Sequence, residues 1–104
     1  MSEFNGVTIV KEANIYFEGK VTSRTILFPD GSRKTLGILL PGEYKFSTNE
    51  KENVELLSGG LEFSLSDDDG WESVNAGEIF EVQAQSTFKV RVNELTDYCC
   101  SYIS

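Results

Sequence analysis

Histidine is absent from this 104-residue chain. That removes the imidazole general acid–base, every His-based catalytic triad and the commonest metal ligand. Cysteine is scarce as well: Cys99 and Cys100 are the only two, and they are adjacent. Neighbours on an extended strand point to opposite faces, so both read as reduced structural thiols and not as a disulfide. No apolar run approaches the roughly 20 residues that a bilayer-spanning helix requires. No basic start followed by an apolar stretch marks a secretion signal, and the expected compartment is the cytoplasm. Cations are few, 9 Lys and Arg against 17 Asp and Glu, for a net charge of −8. Such a balance argues against a nucleic-acid polymer or an anionic membrane as partner, because each needs a broad basic face.

Sustained helical periodicity is also lacking. Apolar residues instead alternate in short runs broken by Gly, Pro, Asn and Asp, the pattern of an all-β barrel or sandwich. Strands are expected near 14–18, 20–28, 33–40, 43–47, 53–58, 60–65, 71–75, 78–82, 86–92 and 97–103. Residues 1–12 read as an N-terminal arm, and 13–104 as a single barrel domain with enough apolar residues for one core. Turn chemistry marks the joints at Pro29-Asp30-Gly31-Ser32, Pro41-Gly42, Ser58-Gly59-Gly60 and Asn75-Ala76-Gly77-Glu78. Asp67-Asp68-Asp69-Gly70 lacks the spaced ligands and distal Glu of a calcium loop and reads as a solvated hairpin tip.

The few cations are unevenly placed. Lys20, Arg24, Arg33 and Lys34 fall within fifteen residues whose only acid is Asp30. With Asp30-Gly31 as a two-residue hairpin tip, Phe28 pairs with Arg33, Ile26 with Thr35 and Arg24 with Gly37. One face of that ribbon then presents Lys20, Thr22, Arg24, Arg33 and Thr35, while Lys34 goes to the other. Guanidinium forks beside hydroxyl donors suit a phosphate. The plain alternative is a set of cations decorating the solvent face of a strand.

The punctuation resembles the two-motif layout of a cupin: Pro41-Gly42, Glu52 ahead of Gly59, then Gly77 and an extended run to Phe88. Thr48 and Glu50 stand roughly where the first two metal-binding histidines of that fold lie, and Phe88 where the last one lies. Glu52 alone survives as a ligand, and one carboxylate does not make a transition-metal site. More narrowly, Tyr16-Phe-Glu-Gly-Lys-Val21, Thr35-Leu-Gly37, Gly42-Glu-Tyr-Lys-Phe-Ser-Thr48, Ser58-Gly59, Trp71, Ala76-Gly77 with Phe80, and Tyr98-Cys-Cys-Ser-Tyr102 follow in order. Together they resemble the pyrimidine/purine nucleoside phosphorylase family of small single-domain cupins. The resemblance implies a cupin-type jelly-roll β-barrel and phosphorolysis of many nucleosides to free base and pentose 1-phosphate. It further implies a pentosyltransferase that works as a metal-free homodimer, with inorganic phosphate as co-substrate. Gln83 departs from the family, whose members usually carry proline at that point of the loop.

Phosphorolysis builds positive charge on the sugar and negative charge on the departing base. Arg24 and Arg33 are the candidates for holding phosphate, with Lys20, Ser23 and Thr35 in support. Glu43 is the candidate carboxylate for the ribose, with Glu62 and Glu81 as others near the rim. Alternation leaves two options for residues 43–48: either Glu43, Lys45 and Ser47 face the cavity, or Tyr44, Phe46 and Thr48 do. In the second case Tyr44 and Phe46 form a base platform and Glu43 is a solvent charge. Tyr102 and Phe88 are further stacking candidates, although core packing explains each aromatic singly. Tyr16, Phe17 and Trp71 are assigned to the core or to a dimer interface. Tyr44, Tyr102, a glutamate of raised pKa and an ordered water all remain open as the leaving-group acid. A non-catalytic cupin that binds a nucleoside, nucleotide or sugar phosphate is the alternative function.

Overall fold

The short alternating runs become eleven strands in a computed structural model that describes residues 3–65 and 70–103. They are β1 (Thr8–Ile9), β2 (Asn14–Tyr16), β3 (Val21–Leu27), β4 (Arg33–Leu39), β5 (Gly42–Ser47) and β6 (Lys51–Ser58). β7 (Gly60–Ser64), β8 (Glu72–Asn75), β9 (Ile79–Val82), β10 (Thr87–Val92) and β11 (Thr96–Ile103) complete the set. Two sheets result: a larger one in the order β1-β3-β4-β11-β6-β9, with β2 also on β3, and a smaller one in the order β5-β10-β7-β8. All pairings are antiparallel, and the two sheets form a jelly roll. The ten expected strands lie within a few residues of β2 to β11, because alternation with Gly, Pro and Asn punctuation marks them locally. Residues of the N-terminal arm add a short pairing: Thr8 and Ile9 oppose Leu27 and Ile26, and Phe4 packs edge-on against Phe28 at 5.2 Å. Among the described residues no helix is long and apolar enough to cross a membrane. The expected acidic tip at Asp67–Asp69 lies outside the described residues.

Inward-facing residues of both sheets close the core. Leu56, Val21, Val82 and Val90 are almost wholly excluded from solvent, and the Phe63 and Phe80 rings stack 4.5 Å apart. Both cysteines are free and buried.

The β3–β4 hairpin corrects the expected register by one residue. Leu27 pairs with Arg33, Thr25 with Thr35, Arg24 with Leu36 and Ser23 with Gly37. The cause is Pro29: as the residue closing a two-residue loop it would have to donate an N–H that proline lacks, whereas its fixed negative φ suits the first corner of a longer loop. Instead Gly31 N–H donates to the Phe28 carbonyl and Phe28 N–H donates to the Ser32 carbonyl, both at 3.0 Å, which makes a three-residue loop. Gly31 takes the left-handed position at φ +89. The Asp30 carboxylate accepts from Ser32 Oγ at 2.6 Å and Ser32 N–H at 2.9 Å, which holds its pKa below the usual carboxylate range. Slipping one strand by a residue exchanges its faces. Arg33, Thr35 and Gly37 therefore share the inner face with Val21, Ser23 and Thr25, while Arg24 joins Lys34, Leu36 and Ile38 outside.

Candidate active site

Between the two sheets lies a cavity of about 300 Å³, at the lower end of the range for small-molecule sites. Its walls differ in chemistry. The larger sheet contributes Ser23, Arg33, Glu52, Tyr98 and Tyr102 among apolar Val21, Leu39, Val54 and Phe80, while the smaller contributes Leu61, Phe46, Phe88 and Val90 with Ser47. The larger sheet thus supplies the charge and most of the hydroxyls, and the smaller is mainly apolar. Phe46 and Phe88 stack at 5.5 Å with their planes 29° apart.

Arg33 is the sole Lys or Arg among the described residues lining the cavity. Its Nη2 donates to Glu50 Oε1 at 2.9 Å, and its guanidinium lies 4.0 Å from the centre of the Tyr102 ring. The Tyr102 and Thr35 hydroxyls share a hydrogen bond at 3.4 Å. Burial is the main force on Tyr98, Tyr102, Cys100 and Glu52. It pushes the Tyr98 phenol up to about 12 and the Tyr102 phenol and Cys100 thiol well above their ordinary values. Glu52, half-buried beneath them, is raised by the same desolvation despite a hydrogen bond from Cys100 and the field of Arg33. The Cys100 thiol donates to Glu52 Oε1 at 3.4 Å.

The candidate residues divide cleanly by placement. Arg33, Ser23, Phe46 and Tyr102 line the cavity, and Thr35 sits buried behind Tyr102. Ser23 is oriented by Asn14, whose Nδ2 donates to its hydroxyl at 3.2 Å. Arg24 lies on the exposed outer face, so the expected pairing of Arg24 with Arg33 does not form. Lys20 is exposed in the turn ahead of β3, outside the cavity lining. Of the two options for residues 43–48, the aromatic set faces inward. Glu43 is accordingly exposed on the outer face opposite Arg91. Tyr44 faces inward but is buried beside the cavity, donating to the Leu40 carbonyl at 2.6 Å and packing against Phe17 at 4.9 Å. Glu62 and Glu81 also point outward, paired with Arg91 at 3.6 Å and Lys51 at 3.1 Å.

Tyr98 and Glu52 also line the cavity, the first with no role expected from sequence and the second expected only as the surviving cupin ligand. The alternation Tyr98, Cys100, Tyr102 on one strand was a usable signal for the first, and the lone surviving cupin carboxylate for the second. At the positions where cupins bind metal, the donors do not fit a transition-metal ion. Thr48 Oγ donates to the Gln83 carbonyl at 2.7 Å and accepts from Ser86 N–H at 2.9 Å, pinning the loop before β10. Glu50 is engaged by Arg33, and Phe88 has no donor atom. Among the described residues no three His, Cys, Asp or Glu side chains form a metal-binding group. Thr48 uses the backbone carbonyl of Gln83, which a proline there would equally supply.

Comparison with known proteins now adds an independent line. The model of the family described as pyrimidine/purine nucleoside phosphorylase matches residues 11–102. The protein of that name from Trichlorobacter lovleyi is 57% identical over 104 residues, covering all of both chains. A crystal structure of an Acinetobacter protein of unknown function superposes with a TM-score of 0.92 at 37% identity, covering 97% of this chain and 98% of the other. A cupin-2 domain protein from Shewanella frigidimarina superposes with a TM-score of 0.66 at 17% identity, covering 79% of each chain, a likeness of fold alone.

Proposed function

This chain belongs to the pyrimidine/purine nucleoside phosphorylase family, and from that premise we propose that it cleaves purine and pyrimidine nucleosides with inorganic phosphate, without a metal. The observation that supports this most is the two-walled cavity with one arginine. A base lies flat against Phe46 and Phe88, a contact worth about 1–3 kcal/mol per base and indifferent to which base it is. The sugar hydroxyls meet Ser23 and Tyr98 on the polar wall. Phosphate takes the Arg33 guanidinium, exchanging with the Glu50 carboxylate that now occupies it. Because that ion pair is partly exposed, the exchange costs about 1 kcal/mol or less. The developing charge on the sugar is met by phosphate from one side and by the Glu50 carboxylate nearby.

The test is release of uracil from uridine and of hypoxanthine from inosine, with and without phosphate. We expect release of both, dependent on phosphate, accompanied by pentose 1-phosphate and unchanged by EDTA. Tight nucleoside binding without release would leave a sensor in place of an enzyme. Inhibition by EDTA that zinc or iron reverses would end the metal-free reading.

The protein is further proposed to act as a cytoplasmic homodimer. Ile9, Ile15, Leu36 and Ile38 lie on the outer face of the larger sheet, with Ile9 and Ile15 more than half exposed. Light scattering should give twice the chain mass of 11.6 kDa. A monomer would refute the dimer and leave the cavity argument intact.

A further inference from the structure

Cleaving the glycosidic bond of a nucleoside leaves electrons on the base, and a proton donor at the base relieves them. Five groups could supply that proton, and the structure separates them; Tyr98, on the polar wall, already shares a hydrogen bond with Ser23. Tyr44 commits its hydroxyl to the Leu40 carbonyl and lies outside the cavity lining. Tyr102 shares its hydroxyl with Thr35 beneath the Arg33 guanidinium. Glu50 is held by Arg33 at the partly exposed mouth. Glu52 lines the cavity from β6, paired across the strand with Tyr102, and one of its oxygens accepts from Cys100. Its second oxygen has no assigned hydrogen bond among the described residues. Phe46 and Phe88 line the same cavity from the other sheet, so a base stacked on them shares that space with this carboxyl.

Resting on the phosphorolysis reading, we infer that Glu52 is the catalytic acid that protonates the departing base. The bond from the anomeric carbon to the glycosidic nitrogen breaks, and its electron pair passes to the base. A phosphate oxygen forms the new bond to the anomeric carbon. The Glu52 proton goes to the free imidazole nitrogen of a purine, or to the carbonyl oxygen beside the glycosidic nitrogen of a pyrimidine. The proton carried in by hydrogen phosphate then returns to the Glu52 carboxylate, and base and pentose 1-phosphate leave with atoms and charge balanced. The environment favours a carboxyl that keeps its proton: burial raises the Glu52 pKa, and the nearby Glu50 charge acts in the same direction. Arg33 and the Cys100 thiol oppose it, while the Tyr98 and Tyr102 phenols stay neutral at working pH.

The proposal is tested with Glu52→Gln on two substrates, inosine and 7-methylinosine. The methyl group places a positive charge on the imidazole ring, so that base leaves neutral without accepting a proton. We expect kcat/KM for inosine to fall roughly 100-fold or more in Glu52→Gln, the scale of general acid catalysis. Phosphorolysis of 7-methylinosine should stay within about threefold of wild type, because no proton transfer is lost there. Equal losses on both substrates would overturn the acid role and leave Glu52 a binding residue, and an unchanged inosine rate would overturn it outright. If wild type cleaves neither substrate in phosphate, the underlying reading falls and this proposal with it. Wild type alone offers a second measurement should the variant not fold. Its inosine kcat/KM should decline as pH rises and Glu52 ionises, and a profile level from about pH 5 to about pH 9 would overturn the acid role.

Discussion

Arg33→Ala is expected to lower kcat/KM for phosphate by about 100- to 1000-fold, the loss typical of removing one positioned donor from a developing anion. Arg24→Ala should stay within about twofold of wild type, since no transition-state contact is lost. The contrast follows from a single register: Arg33 opposes Leu27 on the inner face, whereas Arg24 opposes Leu36 on the outer one. Stability should barely move in Arg24→Ala and should fall by no more than about 2 kcal/mol in Arg33→Ala, too little to unfold the domain. The Arg33–Glu50 pair has side chains 42% and 37% exposed, and pairs of that kind contribute about 1 kcal/mol or less. The stacking of the guanidinium on Tyr102 adds a similar amount at a partly exposed site, on the order of 0.5–1 kcal/mol. Arg33→Lys should recover only part of the activity, because an ammonium cannot present a fork to phosphate or lie flat on the Tyr102 ring. Steady-state kinetics with phosphate varied at saturating uridine, together with thermal melts, measures all of this. Comparable losses in Arg24→Ala and Arg33→Ala would mean that phosphate binds on the outer face and that the cavity is not the site.

The strands were legible because their signal is local. Each run of alternating apolar residues is bounded by its own Gly, Pro or Asn, so neither the partner nor the sheet needs to be known to place it. Register is not local in this way. Whether Arg24 or Ser23 joins Arg33 depends on whether Asp30-Gly31 or Pro29-Asp30-Gly31 forms the loop, and Pro29 decides it because it lacks the N–H that closing the shorter loop requires. For β5 the difficulty was of another kind. Alternation fixed that Glu43 and Tyr44 point opposite ways, but only packing against the larger sheet decides which of them points inward. The site was legible in parts for the same reason. Arg33, Ser23, Phe46 and Tyr102 carried a chemical argument and also fell on inner faces. Arg24, Glu43 and Lys20 carried the argument and fell outside. Tyr98 was passed over because its role depends on a neighbour across the strand that carries no side chain at all.

That neighbour is Gly37, and Gly37→Ala should be the more damaging substitution for the fold. Tyr98 opposes Gly37 in the β11–β4 pairing, and Ser23 opposes it from β3. A Cβ built on Gly37 would collide with the Thr22 carbonyl oxygen and come within 2.8 Å of both Ser23 Cβ and the Tyr98 hydroxyl oxygen. Two of these three obstacles belong to β3, so relief requires the hairpin to part. Glycine inside a strand marks such a close approach. Overpacking of this kind costs about 2–3 kcal/mol, which for a domain of this size lowers the melting temperature by roughly 10–20 °C. The protein that remains folded must also move the Tyr98 hydroxyl and Ser23 from the polar wall, and displacements near 1 Å at a reacting centre can cost about 100-fold in rate. Gly37→Ala combined with Tyr98→Phe separates the two contributions. Removing the hydroxyl relieves one of the three collisions, so part of the lost stability should return while activity does not. A single Gly37→Ala variant melting within about 3 °C of wild type would show that β3 and β4 yield easily at this point. The polar wall would then be softer than its packing implies, and Tyr98 would have room to follow the ligand.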